Sequence, residues 1–134
     1  MENIVNRISD NIKEKYSSLG FTICPFLEQQ VFFNNKGFKH LLYKSGNRKR
    51  DYSETLERSG YLGLAKEILS KTTTLQEKET LVSENKTVYY FGFIAIVENI
   101  KLKVVVRKDN INGKYYFYSV IPHFITSLKR DSAK

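Results

Sequence analysis

The stretch TVYYFGFIAIVENIKLKVVVRKDNINGKYYFYSVIP, residues 87–122, decides the fold. It holds three β-branched and aromatic runs, at 87–98, 100–108 and 114–122. Glu98-Asn99 and DNINGK separate them, and both separators suit hairpins. Strands linked this way form an antiparallel meander. Helical and turn signals fill the sequence before it. Helices followed by strands predict an α+β domain, with N-terminal helices packed on one face of a C-terminal antiparallel β-meander of three to four strands.

Working back toward the N-terminus, residues 3 to 16 read as a helix. Ile4, Val5, Ile8, Ile12 and Tyr16 recur at spacings of three and four, and Gly20 is a stop. FTICPFLEQQVFFN has Pro25 as a breaker and a short β-type run at 30–34, followed by the turn signal NNKG. Phe38 to Tyr43 suits one or two helical turns, with Phe38, Leu41 and Leu42 facing inward. SGN at 45–47 breaks it. Asp51 or Ser53 caps a helix running to about Ser70, with a break near Ser59 because Gly60 and Gly63 each cost about 1 kcal/mol in a helix interior. TTTLQEKET reads as a capped short turn. A single domain over 1–134 follows: an N-terminal helix (1–20), a basic element and helices (29–70), and the sheet (87–122).

Composition narrows the chemistry. With 41% hydrophobic residues the chain has enough apolar matter for a core, which argues against disorder. No run of eighteen apolar residues occurs and the N-terminus lacks the apolar core of a signal peptide, so a cytoplasmic protein with no membrane contact is expected. One cysteine, Cys24, cannot form an internal disulfide, and with only two histidines it offers no metal-ligand cluster, so neither metal nor cofactor is expected. The 22 Lys and Arg against 14 Asp and Glu give a net charge of +8 and favour a polyanionic partner, RNA above all. An AT-rich coding bias toward lysine, asparagine and isoleucine produces the same excess with no function behind it.

The positions of the charges carry more. KGFKHLLYKSGNRKRD, residues 36–51, holds Lys36, Lys39, Lys44, Arg48, Lys49 and Arg50 around His40, with no acid before Asp51. Lys36, Lys39 and His40 are expected nearest the sheet, and Arg48, Lys49 and Arg50 in a flexible loop acting at long range. On the middle strand Lys101, Lys103, Val105 and Arg107 share one face. Arg107, ending a valine run, presents a planar fork suited to a phosphate. The last strand puts Tyr115, Phe117, Ser119 and Ile121 on one face and Tyr116, Tyr118 and Val120 on the other; periodicity does not say which is buried. Tyrosines beside cations suit RNA, whose bases stack on rings. A histidine titrating near neutrality suits phosphodiester cleavage through the ribose 2′-hydroxyl, which needs proton transfer and cations rather than a metal.

VFFNNKGFKHLLYKSGNRKR, RSGYLGLAKEIL and the three strand runs together resemble the barnase–EndoU–colicin–RelE-like (BECR) ribonucleases of bacterial and phage toxins, over roughly residues 29 to 123. In the resemblance, residues 36 to 40 match the family's histidine element, Arg58 or Arg48 its basic helix position, Arg107 its sheet arginine and Ser119 its hydroxyl residue. It implies metal-independent endoribonuclease activity on tRNA or mRNA, a cognate antitoxin or immunity protein as partner, and delivery into a target cell for some members. The expected roles are His40 as general acid or base, Arg107 and Lys39 holding the scissile phosphate, and Ser119 positioning it. Lys36, Arg48 and Arg58 would contact RNA, with Tyr116 or Tyr118 stacking on it. A basic RNA- or DNA-binding module without catalysis uses the same cations and rings but has no need of His40. A structural or partner-binding protein, charged through composition alone, predicts only weak binding lost at modest salt.

Overall fold

The computed structural model describes residues 4–44 and 48–124, with side chains over 10–44 and 48–123. Among these described residues four helices and six strands follow in the order α1 (Ile4–Ser17), β1 (Phe21–Cys24), β2 (Gln29–Phe32), α2 (Asn35–Leu42), α3 (Tyr52–Ser59), α4 (Leu62–Lys71), β3 (Glu77–Ser83), β4 (Lys86–Val97), β5 (Ile100–Asp109) and β6 (Tyr115–Phe124). The break expected at 45–47 lies outside the described residues, as do the side chains of Ile4, Val5 and Ile8.

All six strands join one sheet in the order β1-β2-β6-β5-β4-β3. The meander is present: β4 pairs with β5 across the Glu98-Asn99 turn, and β5 pairs with β6, both antiparallel. The expectation of three to four strands falls short at both ends. TTTLQEKET ends in the edge strand β3, which pairs antiparallel with β4 although all seven of its residues are exposed. With neither face buried it has no apolar alternation to read; β4, at twelve residues, simply provides the hydrogen-bonding partner. At the other side FTIC forms β1, and β2 runs parallel to β6. The sheet is therefore mixed rather than wholly antiparallel.

The core lies on one face of the sheet. Phe93, Leu102, Val104, Val106 and Phe117 are buried there, under Leu62, Ala65 and Leu69 of α4 and Ile12 and Tyr16 of α1. The helix expected over 51–70 breaks where the glycines stand, α3 ending at Ser59 and α4 starting at Leu62. Asp51 is the residue before α3 but makes no side-chain cap. NNKG, expected as a turn, starts a helix instead: the Asn34 side chain accepts a hydrogen bond from the Gly37 N–H at 3.3 Å, one of the otherwise orphaned first-turn donors. Among the described residues no helix is long and apolar enough to cross a membrane.

Candidate functional site

Two backbone features build a cleft on the sheet face away from the core. The first is a β-bulge. Val105 pairs with Ser119 while its neighbour Val106 pairs with Phe117, so Tyr118 is an extra residue in β6. Alternation slips by one at that point. Phe117 and Val120 both reach the core, and Tyr118 and Ser119 both line the open side. The regular alternation expected for this strand is corrected accordingly: Tyr116 and Tyr118 lie with Ser119 and Ile121, not opposite them.

The second is the approach of α2 to β6. A side chain at Gly37 would put its Cβ 2.2 Å from the Phe117 carbonyl oxygen and 2.4 Å from the Tyr16 hydroxyl, so only glycine fits. With α2 that close, His40 stacks on Tyr118 with ring centroids 3.9 Å apart and 18° between planes. The cleft these elements frame measures about 430 Å³, with His40, Tyr90, Lys103, Val105, Tyr118 and Ser119 among its walls.

Three arginines surround His40. Arg50 donates from Nε to the His40 carbonyl at 3.0 Å, from Nη1 to Glu54 Oε1 at 2.8 Å, and lies with Nη2 3.2 Å from His40 Nε2. A guanidinium can only donate, so Nε2 is the accepting nitrogen and the ring proton sits on Nδ1. Arg58 donates to Ser119 Oγ at 2.9 Å and pairs with Glu54 at 3.4 Å. Arg107 crosses the same face, its guanidinium carbon 5.3 Å from the Tyr118 ring centre and 5.5 Å from that of Tyr90. Burial first, and then the charges of Arg50, Arg58 and Arg107, lower the His40 pKa to about 4. His40 is therefore neutral at pH 7.

Arg107 is itself held. Asp109 accepts from Arg107 Nε at 2.7 Å and from Lys36 Nζ at 3.0 Å, with the Tyr116 hydroxyl at 3.4 Å. The carboxylate is kept below its ordinary pKa by its bonds to Lys36 and Arg107, which outweigh its partial burial. Lys103 is paired with Glu77 at the cleft's edge.

Of the expected site residues, His40, Arg58, Arg107, Tyr118 and Ser119 come together here. Lys36 arrives too, but paired to Asp109. Lys39 is exposed and forms no part of the cleft wall, because His40 next to it on α2 takes the inward direction. Tyr116 is buried, 4% exposed, and its ring has no free face for a base. Arg48 is exposed and outside the cleft. Arg50, expected in a flexible loop, is only 7% exposed, and the carbonyl and carboxylate it satisfies explain why its burial is tolerated. Sequence reasoning missed Glu54, Asp109 and Tyr90. Glu54 lies four residues after Arg50, which stands just before α3, and four before Arg58 on the same side of α3, and that spacing was an available signal. Among the described residues no three His, Cys, Asp or Glu side chains group as metal ligands. Comparison with protein-family models, with curated proteins and with solved structures finds no match for the chain.

Proposed function

We propose that the chain is a toxin-type endoribonuclease that cleaves RNA through the ribose 2′-hydroxyl, with its own side chains rather than a metal acting on the phosphate. The observation that carries this is the neutral imidazole of His40 stacked on Tyr118 within reach of three arginines. A base must be unprotonated before it accepts a proton, and His40 is so at pH 7. A phosphate between Arg58 and Arg107 would offset the charges that depress its pKa, so proton affinity rises when substrate arrives. The 2′ oxygen attacks phosphorus, its proton passes to His40 as the 2′-hydroxyl displaces Arg50 from Nε2, and the P–O5′ bond breaks. The departing 5′ oxygen takes that proton back. Arg58 and Arg107 stabilise the developing charge on the phosphate, Ser119 orients it through Arg58, Tyr118 holds His40 by stacking, and Tyr90 offers a ring face to a base.

Acting in the cytoplasm, a nuclease of this kind requires a protein antitoxin or immunity partner that neutralises it. A second reading is favoured by two specific contacts, Arg50 on the His40 acceptor nitrogen and Asp109 on Arg107. With both retained, the cleft binds RNA without cutting it.

Incubating the purified protein with total RNA in EDTA separates the two. Cleavage to 2′,3′-cyclic phosphate ends, with DNA left intact and activity lost in His40→Gln, is the expected result. Cutting that EDTA abolishes, or that consumes DNA equally, rules the mechanism out.

A further inference from the structure

The opposite face of the sheet carries a second arrangement of rings and cations, beyond the area that α1 and α4 cover. Pairing registers place Thr80, Tyr89, Lys108, Tyr115 and Val31 side by side in one row across five strands. Arg107, one residue before Lys108, points to the catalytic cleft, so Lys108 points away from it. Lys108 lies over Tyr115 with Nζ 4.9 Å from the ring centre. Phe32 pairs with Tyr116 and so projects to the cleft side, and Lys114 over it at 5.3 Å marks where the cavity it shares with Lys108 wraps round the sheet end. Lys78 reaches Phe91 at 5.6 Å and Tyr89 at 6.0 Å. Phe91 and Tyr115 meet edge to face at 5.5 Å.

Two adjoining cavities run along this row, of about 470 and 390 Å³, and share Leu27, Lys108, Ile111 and Tyr115. Neither is lined by any Asp or Glu, whereas the catalytic cleft has Glu77 and Glu79 in its wall. Ile111 is 71% exposed at their junction. An acid-free trough with lysines at intervals and aromatic faces between them matches what a single-stranded nucleic acid offers: phosphates spaced along a backbone, with bases free to stack. The lysines need no ion pair to be satisfied there, and among the described residues none of Lys78, Lys108 and Lys114 has one.

We propose that this trough is a second binding groove for single-stranded RNA, separate from the cleft. Phosphates lie along Lys78, Lys108 and Lys114, and bases stack on Tyr89 and Tyr115. The hairpin between β5 and β6 divides the two sites, so a strand rounding it reaches both. The groove rests on its own geometry and does not depend on whether the cleft cuts RNA.

The test uses a fluorescein-labelled 2′-O-methyl oligouridylate, which cannot be cleaved, with the full chain and Lys108→Gln/Lys114→Gln. Lys114 is exposed and Lys108 half-buried, and a thermal unfolding curve matching the parent's checks that the variant is folded. Loss of two phosphate contacts should weaken binding by on the order of tenfold at low salt and reduce the slope of log affinity against log salt by about 1.4. Photo-crosslinking with a 4-thiouridine oligonucleotide should place adducts on Tyr89, Tyr115 or Phe32. Cleavage of a dinucleotide, too short to reach the trough, should be unchanged in the variant, and a protein that cuts no dinucleotide at all leaves the binding result to stand by itself. An unchanged salt slope, adducts confined to Tyr90 and Tyr118, or binding of anionic lipid vesicles in place of the oligonucleotide overturns the proposal.

Discussion

Acidification tests the surroundings of His40 directly. In the unfolded chain a histidine takes its proton near pH 6.5. In the folded protein burial against Tyr118 and the charges of Arg50, Arg58 and Arg107 delay this until about pH 4, with Glu54, tied to Arg50 and Arg58, as the nearby acid. Between those two values the unfolded chain binds more protons than the folded one, so stability falls as the pH drops through 6.5 toward 4; above 6.5 this contribution is level. At 1.36 kcal/mol per tenfold difference in proton affinity the whole effect is about 3 kcal/mol. The ring is only partly buried, and solvent screening brings the expected loss to about 2 kcal/mol. Denaturant unfolding of the parent and of His40→Gln at pH 7 and pH 4.5 measures it. Carboxylates titrate in both proteins and cancel, so the parent should lose about 2 kcal/mol more than the variant. The imidazole resonance of His40 should move near pH 4 in the free protein and at higher pH once a dinucleotide phosphate analogue is bound. Equal losses in parent and variant, or a His40 resonance moving at 6.5 in the free protein, would refute the arginine-ringed site.

Three further outcomes follow from the same contacts. Gly37→Ala should destabilise the fold by about 1–3 kcal/mol, because its methyl meets the Phe117 carbonyl and the Tyr16 hydroxyl; an unchanged melting temperature would show that α2 does not lie so close to β6. Arg107→Lys keeps the charge but loses the planar fork, so turnover of RNA should fall roughly a hundredfold with little change in melting temperature. Arg50→Ala leaves Glu54 and the His40 carbonyl without their donor and should cost about 2 kcal/mol in denaturant unfolding, a larger loss than that of any exposed lysine between 36 and 49.

The parts of the fold that sequence makes legible are those where burial enforces a pattern. Phe93, Leu102, Val104 and Val106 are buried under helices, and the alternation that results reveals β4 and β5 and the hairpin between them. β3 has no buried face, so its residues carry no trace of strand pairing. β1 is four residues long, with Phe21 and Ile23 exposed and only Cys24 fully buried, which leaves nothing periodic to detect. The candidate site divides the same way. His40, Arg58, Arg107, Tyr118 and Ser119 are conspicuous as residue types, and Glu54 is marked by its spacing of four from Arg50 and Arg58. Asp109, by contrast, bridges Arg107 to Lys36, 73 residues away, a contact no local spacing reveals.

What converts a sheet face into a cleft is backbone geometry. Without the extra residue in β6, strict alternation would set Tyr118 and Ser119 on opposite faces, and one of them would enter the core. The bulge gives both to the open side, where Tyr118 receives His40 and Ser119 receives Arg58. Those partners arrive from α2 and α3, two helices beside β6 that contribute few residues to the core, and Gly37 is what allows α2 its approach. Arg107 comes from β5 and is fixed from the strand end by Asp109. Three elements with separate reasons for their positions thus converge on the adjacent Tyr118 and Ser119. A substitution acting on any one of them through the backbone should disturb the same histidine without touching it, whereas substitutions in the lysine trough across the sheet should not.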